Sequence, residues 1–265
     1  MTIFSRIASD FSNQKAIKII TGLNNFNIKQ IKQIAQASEI ARATYIDIAA
    51  DIEIVKEIQD KSMIPICVSA VSVKELVKCQ QANVQILEIG NYDCFYEQGR
   101  VFSFQEIIGI SREAKNLMPE ATLCATVPHV LTMGEQIELA HELASIGINL
   151  IQTEGKSTGF TKKADLSGVI EKSAATLSST YSISHNTTIP IISASGISAL
   201  TSPISFIYGA SCVGLGTNIR RLQNTASMVI YIYEIQTAIK CNRNIKQYIS
   251  HSIKSSQVTH QLVVS

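Results

Sequence analysis

Five residues of this chain carry side chains suited to moving protons: Lys18, Asp47, Glu88, His129 and Glu154. Each lies in, or just past, a short apolar run. A lysine beside carboxylates in a closed site can serve as acid, base or Schiff-base amine. A histidine at such a position can shuttle protons at neutral pH. A second set suits an anion: Ser195 and Gly196 in Ser193-Ala-Ser-Gly-Ile-Ser198, and Gly214, Gly216, Thr217 and Asn218 in Gly214-Leu-Gly-Thr-Asn218. Glycine lets a backbone approach phosphate closely, and a loop running into a helix leaves N–H groups unpaired. Ser198 adds a hydroxyl.

What positions these residues is a repeating β-then-α unit. Apolar, β-branched runs occur eight times: 16–20, 45–49, 65–70, 85–90, 121–127, 148–153, 190–195 and 211–216. Each is followed by a helical pattern. Eight such units in about 250 residues predict a (β/α)8 TIM barrel. The chain reads as one domain, 1–265, with the barrel core over about 15–240 and a polar tail over 241–265. Phe4, Ile7, Ala8 and Phe11 share one helical face, which predicts a short N-terminal helix closing the barrel bottom. Ser72–Glu75, Ser103–Glu106 and Thr132–Glu135 have the spacing of capping boxes. Ser202-Pro203 reads as a helix start, Gly147, Gly209 and Asn83 as helix ends, and about 218–240 as the last helix.

Barrel active sites sit at the strand C-termini, and strands 7 and 8 commonly flank a phosphate. The two glycine-bearing loops fall at those strands, which predicts a bound phosphorylated small molecule. Alternation then assigns faces, since a charge pointing into the helix layer would be buried unpaired. Lys18, Asp47, Glu88, Gln152 and Glu154 are therefore expected inside. Parity adds Cys67, Ser69, Thr122, Cys124, Thr126, Ser193 and Ser195. Two readings of the charges stand side by side: a structural ion network, or a catalytic set. Lys18 and Asp47 lie early in their strands, which points to structure. Glu88 and Glu154 lie near the mouth, which points to function, with Glu88 as general base, and His129 or Glu154 as partner acid. His129 reads equally as a capping histidine. Tyr92, Phe95 and Tyr96 after strand 4 read as a satellite core or a lid, and 154–164 reads as a long functional loop.

Other classes are argued against. Net charge is +2, and Arg220, Arg221, Lys240, Arg243 and Lys246 lack a stacking platform, so no nucleic-acid partner is expected. No segment approaches the roughly 18 apolar residues of a membrane span, and Arg6, Ser9 and Asp10 interrupt any leader pattern. The six cysteines have no C-x-x-C pairing, which predicts reduced thiols. The five scattered histidines argue against a His-rich metal site and leave a carboxylate-bound Mg²⁺ open. Gly214-x-Gly-x-x-Ile219 lacks the third glycine of a dinucleotide fingerprint, and Gly155-Lys-Ser-Thr158 lacks the first of a P-loop. Neither a cofactor nor an oligomeric state is indicated.

Ala194-Ser-Gly-Ile197 and Gly209-Ala-x-x-Val-Gly-x-Gly-x-x-Ile219 resemble the ribulose-phosphate-binding barrel superfamily. Lys18-Ile-Ile-Thr-Gly-Leu-Asn-Asn-Phe26, Tyr45-Ile-Asp-Ile-Ala49, Pro65-Ile-Cys-Val-Ser69, Glu88-Ile-Gly-Asn-Tyr-Asp-Cys-Phe-Tyr96, Thr126-Val-Pro-His129 and Ile151-Gln-Thr-Glu-Gly155 are similar to the hypothetical chloroplast reading frame twenty-three family. That resemblance spans roughly 10–240. It implies a TIM-type barrel and a location in the plastid (chloroplast) stroma, and it implies no particular activity. One departure stands out: Ser195-Gly196 replaces the paired glycines frequent after strand 7 in the superfamily.

Overall fold

The computed structural model describes residues 3–96, 98–155 and 166–242. Eight parallel strands close into a barrel in chain order: β1 (Ala16–Ile20), β2 (Tyr45–Ala49), β3 (Ile66–Ala70), β4 (Ile86–Ile89), β5 (Thr122–Val127), β6 (Leu150–Thr153), β7 (Ile191–Ala194) and β8 (Cys212–Leu215). Nearly every strand residue is buried, as expected where one face meets the barrel axis and the other meets helices. The outward set, including Ile17, Ile19, Ile46, Ile48, Val68 and Leu87, packs into the helix layer as the main core.

Inside, the lowest layer is apolar: Ala16, Tyr45, Cys67, Ile86, Cys124, Leu150, Ile192 and Cys212, one from each strand. The helix Ile3–Ser12 seals it with Ile7 and Phe11, whose ring stacks on Tyr45 at 6.2 Å. Burial pushes the Cys67 and Cys124 thiols well up, so they pack as inert apolar groups. Register stacks the polar residues one step higher. Asp47 is opposite Cys67, Glu88 is opposite Ser69 and Cys124, and Gln152 is opposite Thr126.

Local chemistry fixes the helix ends. Ser103–Glu106 and Thr132–Glu135 form reciprocal capping boxes. Gly147, Gly209 and Asn83 all take left-handed φ at helix ends. Three expectations change. Ser72 starts its helix without a side-chain cap. Thr201, not Ser202, is the residue before the helix Ser202–Ile207. The last helix is divided: a short turn Thr217–Arg221 ends at extended Leu222, and a new helix over 225–242 begins where Asn224 Oδ1 accepts from Ser227 N at 2.8 Å.

A fourth correction concerns Ser193. It faces the helix Leu166–Ser184, not the axis, because Ile192 takes the inward position of β7. Its hydroxyl accepts from Thr180 Oγ1 at 2.9 Å, and Thr153 Oγ1 meets Thr176 and Thr180 at 2.6 and 3.2 Å. The rule that polar strand residues must face inward holds for charges. Hydroxyls escape it when the covering helix brings hydroxyls of its own. Among the described residues no helix is long and apolar enough to cross a membrane. Residues 156–165, within the expected loop after β6, and the tail from 243 lie outside the described residues.

Candidate functional site

The charged strand residues gather just above the apolar layer. Lys18 Nζ donates to Glu88 Oε2, donates to Gln152 Oε1 at 2.9 Å, and lies 3.1 Å from Asp47 Oδ2. Each remaining carboxylate oxygen is occupied. Asp47 Oδ1 accepts from Ser69 Oγ at 2.5 Å. Glu88 Oε1 accepts from Gln152 Nε2 at 2.6 Å and from Thr126 Oγ1 at 3.0 Å. Asn91 closes the set from above, donating to Asp47 Oδ2 at 3.0 Å and accepting from Gln152 at 3.0 Å. Asn91 adopts φ 63°, a left-handed turn that asparagine tolerates. Neighbouring Gly90 has no room for a side chain, since a Cβ there would fall 2.2 Å from Thr126 Oγ1.

Burial alone would depress the Lys18 ammonium, but Asp47 and Glu88 outweigh it and hold it well above its ordinary value. Burial pushes Glu88 up; Lys18 opposes this and Asp47 adds to it. Lys18, Asp47 and Glu88 are all at most 1% exposed. They form a saturated ion cluster beneath the mouth. The position expected for a general base at Glu88 is thereby enclosed: its two oxygens are spent on Lys18, Gln152 and Thr126.

Above this floor a cavity of about 330 Å³ opens at the strand C-termini. Asn91, Thr126 and Gln152 reach it from below; Lys18, Asp47 and Glu88 do not line it. All six residues expected to bind phosphate line the cavity: Ser195, Gly196, Gly214, Gly216, Thr217 and Asn218. Ser195 and Gly196 turn the chain with consecutive left-handed φ of 78° and 72°. A Cβ on Gly196 would lie 2.3 Å from the Lys172 carbonyl, so glycine is required there. Ser195 adopts a backbone that glycine would take freely, at a cost of about 1–2 kcal/mol. Among the described residues, the N–H groups of Ser195, Gly196 and Ile197 find no acceptor. The first-turn amides after Gly216 likewise have no carbonyl one turn back.

Glu154 sits where β6 ends and is 4% exposed. Its Oε2 accepts from Tyr96 OH at 2.6 Å, from His129 N at 3.2 Å, and lies 3.0 Å from His129 Nδ1. The Tyr96 and His129 rings meet edge to face at 5.0 Å. Burial and Glu154 push the Tyr96 phenol well up, so it stays a donor. The other aromatics expected with it, Tyr92 and Phe95, form a satellite core on Phe102 at 4.6 and 5.3 Å.

Several lining residues escaped the sequence reading as site residues, Arg220 and Asp93 among them. Arg220, read there as a basic surface residue, places Nη1 3.3 Å from the Ile20 carbonyl and Nη2 3.4 Å from Thr217 Oγ1. Burial pulls its guanidinium down and Asp93 opposes this; it remains a cation at neutral pH. Asp93 opens the short helix Asp93–Tyr96 after β4. No alternation pattern reaches into such a turn, so only the fold reveals it. Among the described residues no group of three His, Cys, Asp or Glu is placed to hold a metal.

Comparisons with known proteins agree with this architecture. The sequence model of the family described as "Protein of unknown function (DUF561)" matches residues 3–245, and the chain belongs to that family. It is 65% identical over 262 residues to "Uncharacterized protein ycf23" of Pyropia yezoensis, covering 99% of this chain and 96% of that protein. Among solved structures it resembles (S)-3-O-geranylgeranylglyceryl phosphate synthase from Thermoplasma acidophilum in complex with substrate sn-glycerol-1-phosphate. The TM-score is 0.61 at 14% identity, over 91% of this chain and 99% of that one. It also resembles a 3-hexulose-6-phosphate synthase, with TM-score 0.58 at 12% identity over 84% and 99%. At such identities the likeness carries the fold alone.

Proposed function

We propose that this DUF561 chain holds a phosphorylated small molecule between its β7 and β8 loops and transfers protons on its carbon skeleton. Isomerisation, epimerisation and carbon–carbon lysis of a sugar-phosphate-like substrate all belong to that class. One observation carries the reading. A single cavity joins the unpaired amides after β7 and the glycine-bearing loop after β8 to the buried Glu154 carboxyl.

In this reading Ser195, Gly196, Gly214, Gly216, Thr217 and Asn218 grip the phosphate with backbone N–H groups and hydroxyls, and Arg220 offsets its charge. Glu154 handles protons in the cavity, held in place by His129, which contacts its Oε2 from outside the lining. Lys18, Asp47 and Glu88 fix the floor, through which Gln152 and Asn91 meet the ligand. The structural neighbours add support, since their names include phosphate esters. A plastid stroma location belongs to the same reading, supported by the sequence resemblance and by a relative named for that reading-frame family.

Thermal shift across a panel of phosphorylated metabolites tests binding. A Tm rise is expected with at least one ester and not with its dephosphorylated form. It is expected to shrink in Gly216→Val, whose added side chain meets the Arg220 end at about 3 Å. No rise with any ester, or an equal rise in the variant, removes the phosphate reading. A second reading, a non-catalytic metabolite-sensing or assembly barrel, draws on the saturation of Lys18, Asp47 and Glu88. Binding without turnover of any panel member selects it.

A further inference from the structure

Glu154 presents an imbalance that the phosphate reading leaves unexplained. Three contacts crowd its Oε2, while its Oε1 is buried and, among the described residues, has no hydrogen-bond partner. A buried carboxylate oxygen left bare forfeits its hydration with nothing in return. A second carboxyl, Asp93, lies within hydrogen-bonding reach of the Glu154 side chain. Two carboxylates cannot bond to each other, but a carboxylic acid can donate to a carboxylate. Both residues line the cavity.

We infer that Asp93 donates a shared proton to the bare Glu154 oxygen, and that this pair is the acid–base unit of the cavity. The assignment rests on the phosphate reading for its substrate and on its own geometry for the proton. The groups facing the pair are Tyr96 and His129 on Glu154, Arg220 and His129 near Asp93, and Tyr92 near Glu154. Desolvation first, then Glu154, pushes the Asp93 carboxyl up to about 7, with His129 and Arg220 opposing. Asp93 is itself an exposed residue, so solvent screens much of that rise.

Asp93 is delivered by the loop after β4, four strands around the barrel from β8. The pair therefore faces a ligand whose phosphate is anchored at the β7 and β8 loops. It suits a phosphorylated compound with a carbonyl next to a C–H bond. Glu154 takes the proton from that carbon, the C–H electrons form the C=C bond, and the carbonyl oxygen receives the Asp93 proton. The product is a neutral enediol or enol, and the pair still holds one proton, now on Glu154. Reversal onto the neighbouring carbon or face completes isomerisation or epimerisation with no other reactant.

Carboxyl ¹³C NMR titration of the full chain without ligand tests the shared proton. Asp93, assigned by its loss in Asp93→Asn, is expected to titrate near 7 and to fall by more than one pH unit in Glu154→Gln. An ordinary carboxylate midpoint, or one unmoved by Glu154→Gln, overturns the pair. Exchange of solvent deuterium into triose to hexose ketose and aldose phosphates tests the chemistry. The wild type is expected to exchange deuterium into at least one of them, at least about 100-fold faster than Asp93→Asn or Glu154→Gln. No exchange into any of them overturns the catalytic assignment. Inorganic phosphate binding, followed at the Gly196 and Gly216 amides, separates the two ideas: intact binding with an ordinary Asp93 sinks the pair and spares the grip.

Discussion

The barrel holds two polar clusters a few ångströms apart in depth, and they differ in one respect. In the lower cluster Lys18, Asp47 and Glu88 satisfy one another, and Ser69, Asn91, Thr126 and Gln152 fill every remaining oxygen. In the upper cluster, among the described residues, Glu154 keeps one bare oxygen and the β7 loop keeps bare amides, all around one cavity. Charge content would rank the lower cluster as the functional one. Saturation reverses the ranking. Groups that already hold their partners shape a site; groups without partners are available to a ligand.

Variants that exchange these conditions break or sharpen the contrast. The largest effect is expected from Lys18→Met, which leaves Asp47 and Glu88 buried without their cation. Urea unfolding should show a loss of about 3–5 kcal/mol. A loss under about 1 kcal/mol would mean that the floor is open to water. The pH dependence has a definite sign. Lys18 is held above its unfolded value, so its contribution is full below about pH 10.4. It is lost as pH rises through the folded value. Unfolding midpoints should therefore drop steeply only in strong alkali, and Lys18→Met should flatten that drop.

Ser193→Ala removes the acceptor of Thr180 in the hydroxyl ladder behind β7. Thr180 also donates to the Thr176 carbonyl at 2.7 Å, so the loss should be about 1 kcal/mol by denaturant titration. The smallest effect belongs to Asp93, whose raised carboxyl favours the folded state at low pH. Its contribution is lost between about pH 4, the unfolded value, and about pH 7. Asp93→Asn should flatten the stability profile in that window alone, while Glu88→Gln should leave phosphate binding unchanged, because Glu88 does not touch the cavity.

How much of this was legible in the chain follows from which residues sit in regular elements. All eight strands fall within two residues of the apolar runs, because burial on both faces writes a continuous β-branched signal. The Lys18, Asp47 and Glu88 faces were legible because a charge has nowhere else to go, and Gln152 shares the parity of Glu154 two residues on. Ser193 was not, since the hydroxyls that receive it lie on a helix 13 residues earlier in the chain at Thr180. Depth at Glu88 was misjudged because Asn91, just beyond the strand, folds back as a lid on the cluster. Asp93 and Arg220 stand in short turns where no periodicity assigns a face. The break at Leu222 hides in an apolar-periodic stretch whose only signal is Asn224.

In the proposed function the rim, and not the ion cluster, meets the ligand. Amide ¹H–¹⁵N NMR during titration with sn-glycerol 1-phosphate tests it most directly. Saturable shifts are expected at Ser195, Gly196, Ile197, Gly216 and Thr217, lost on Gly216→Val, with the Lys18 and Asp47 amides barely moved. Saturable shifts centred on β1 and β2, or none at the β7 and β8 loops, would contradict it.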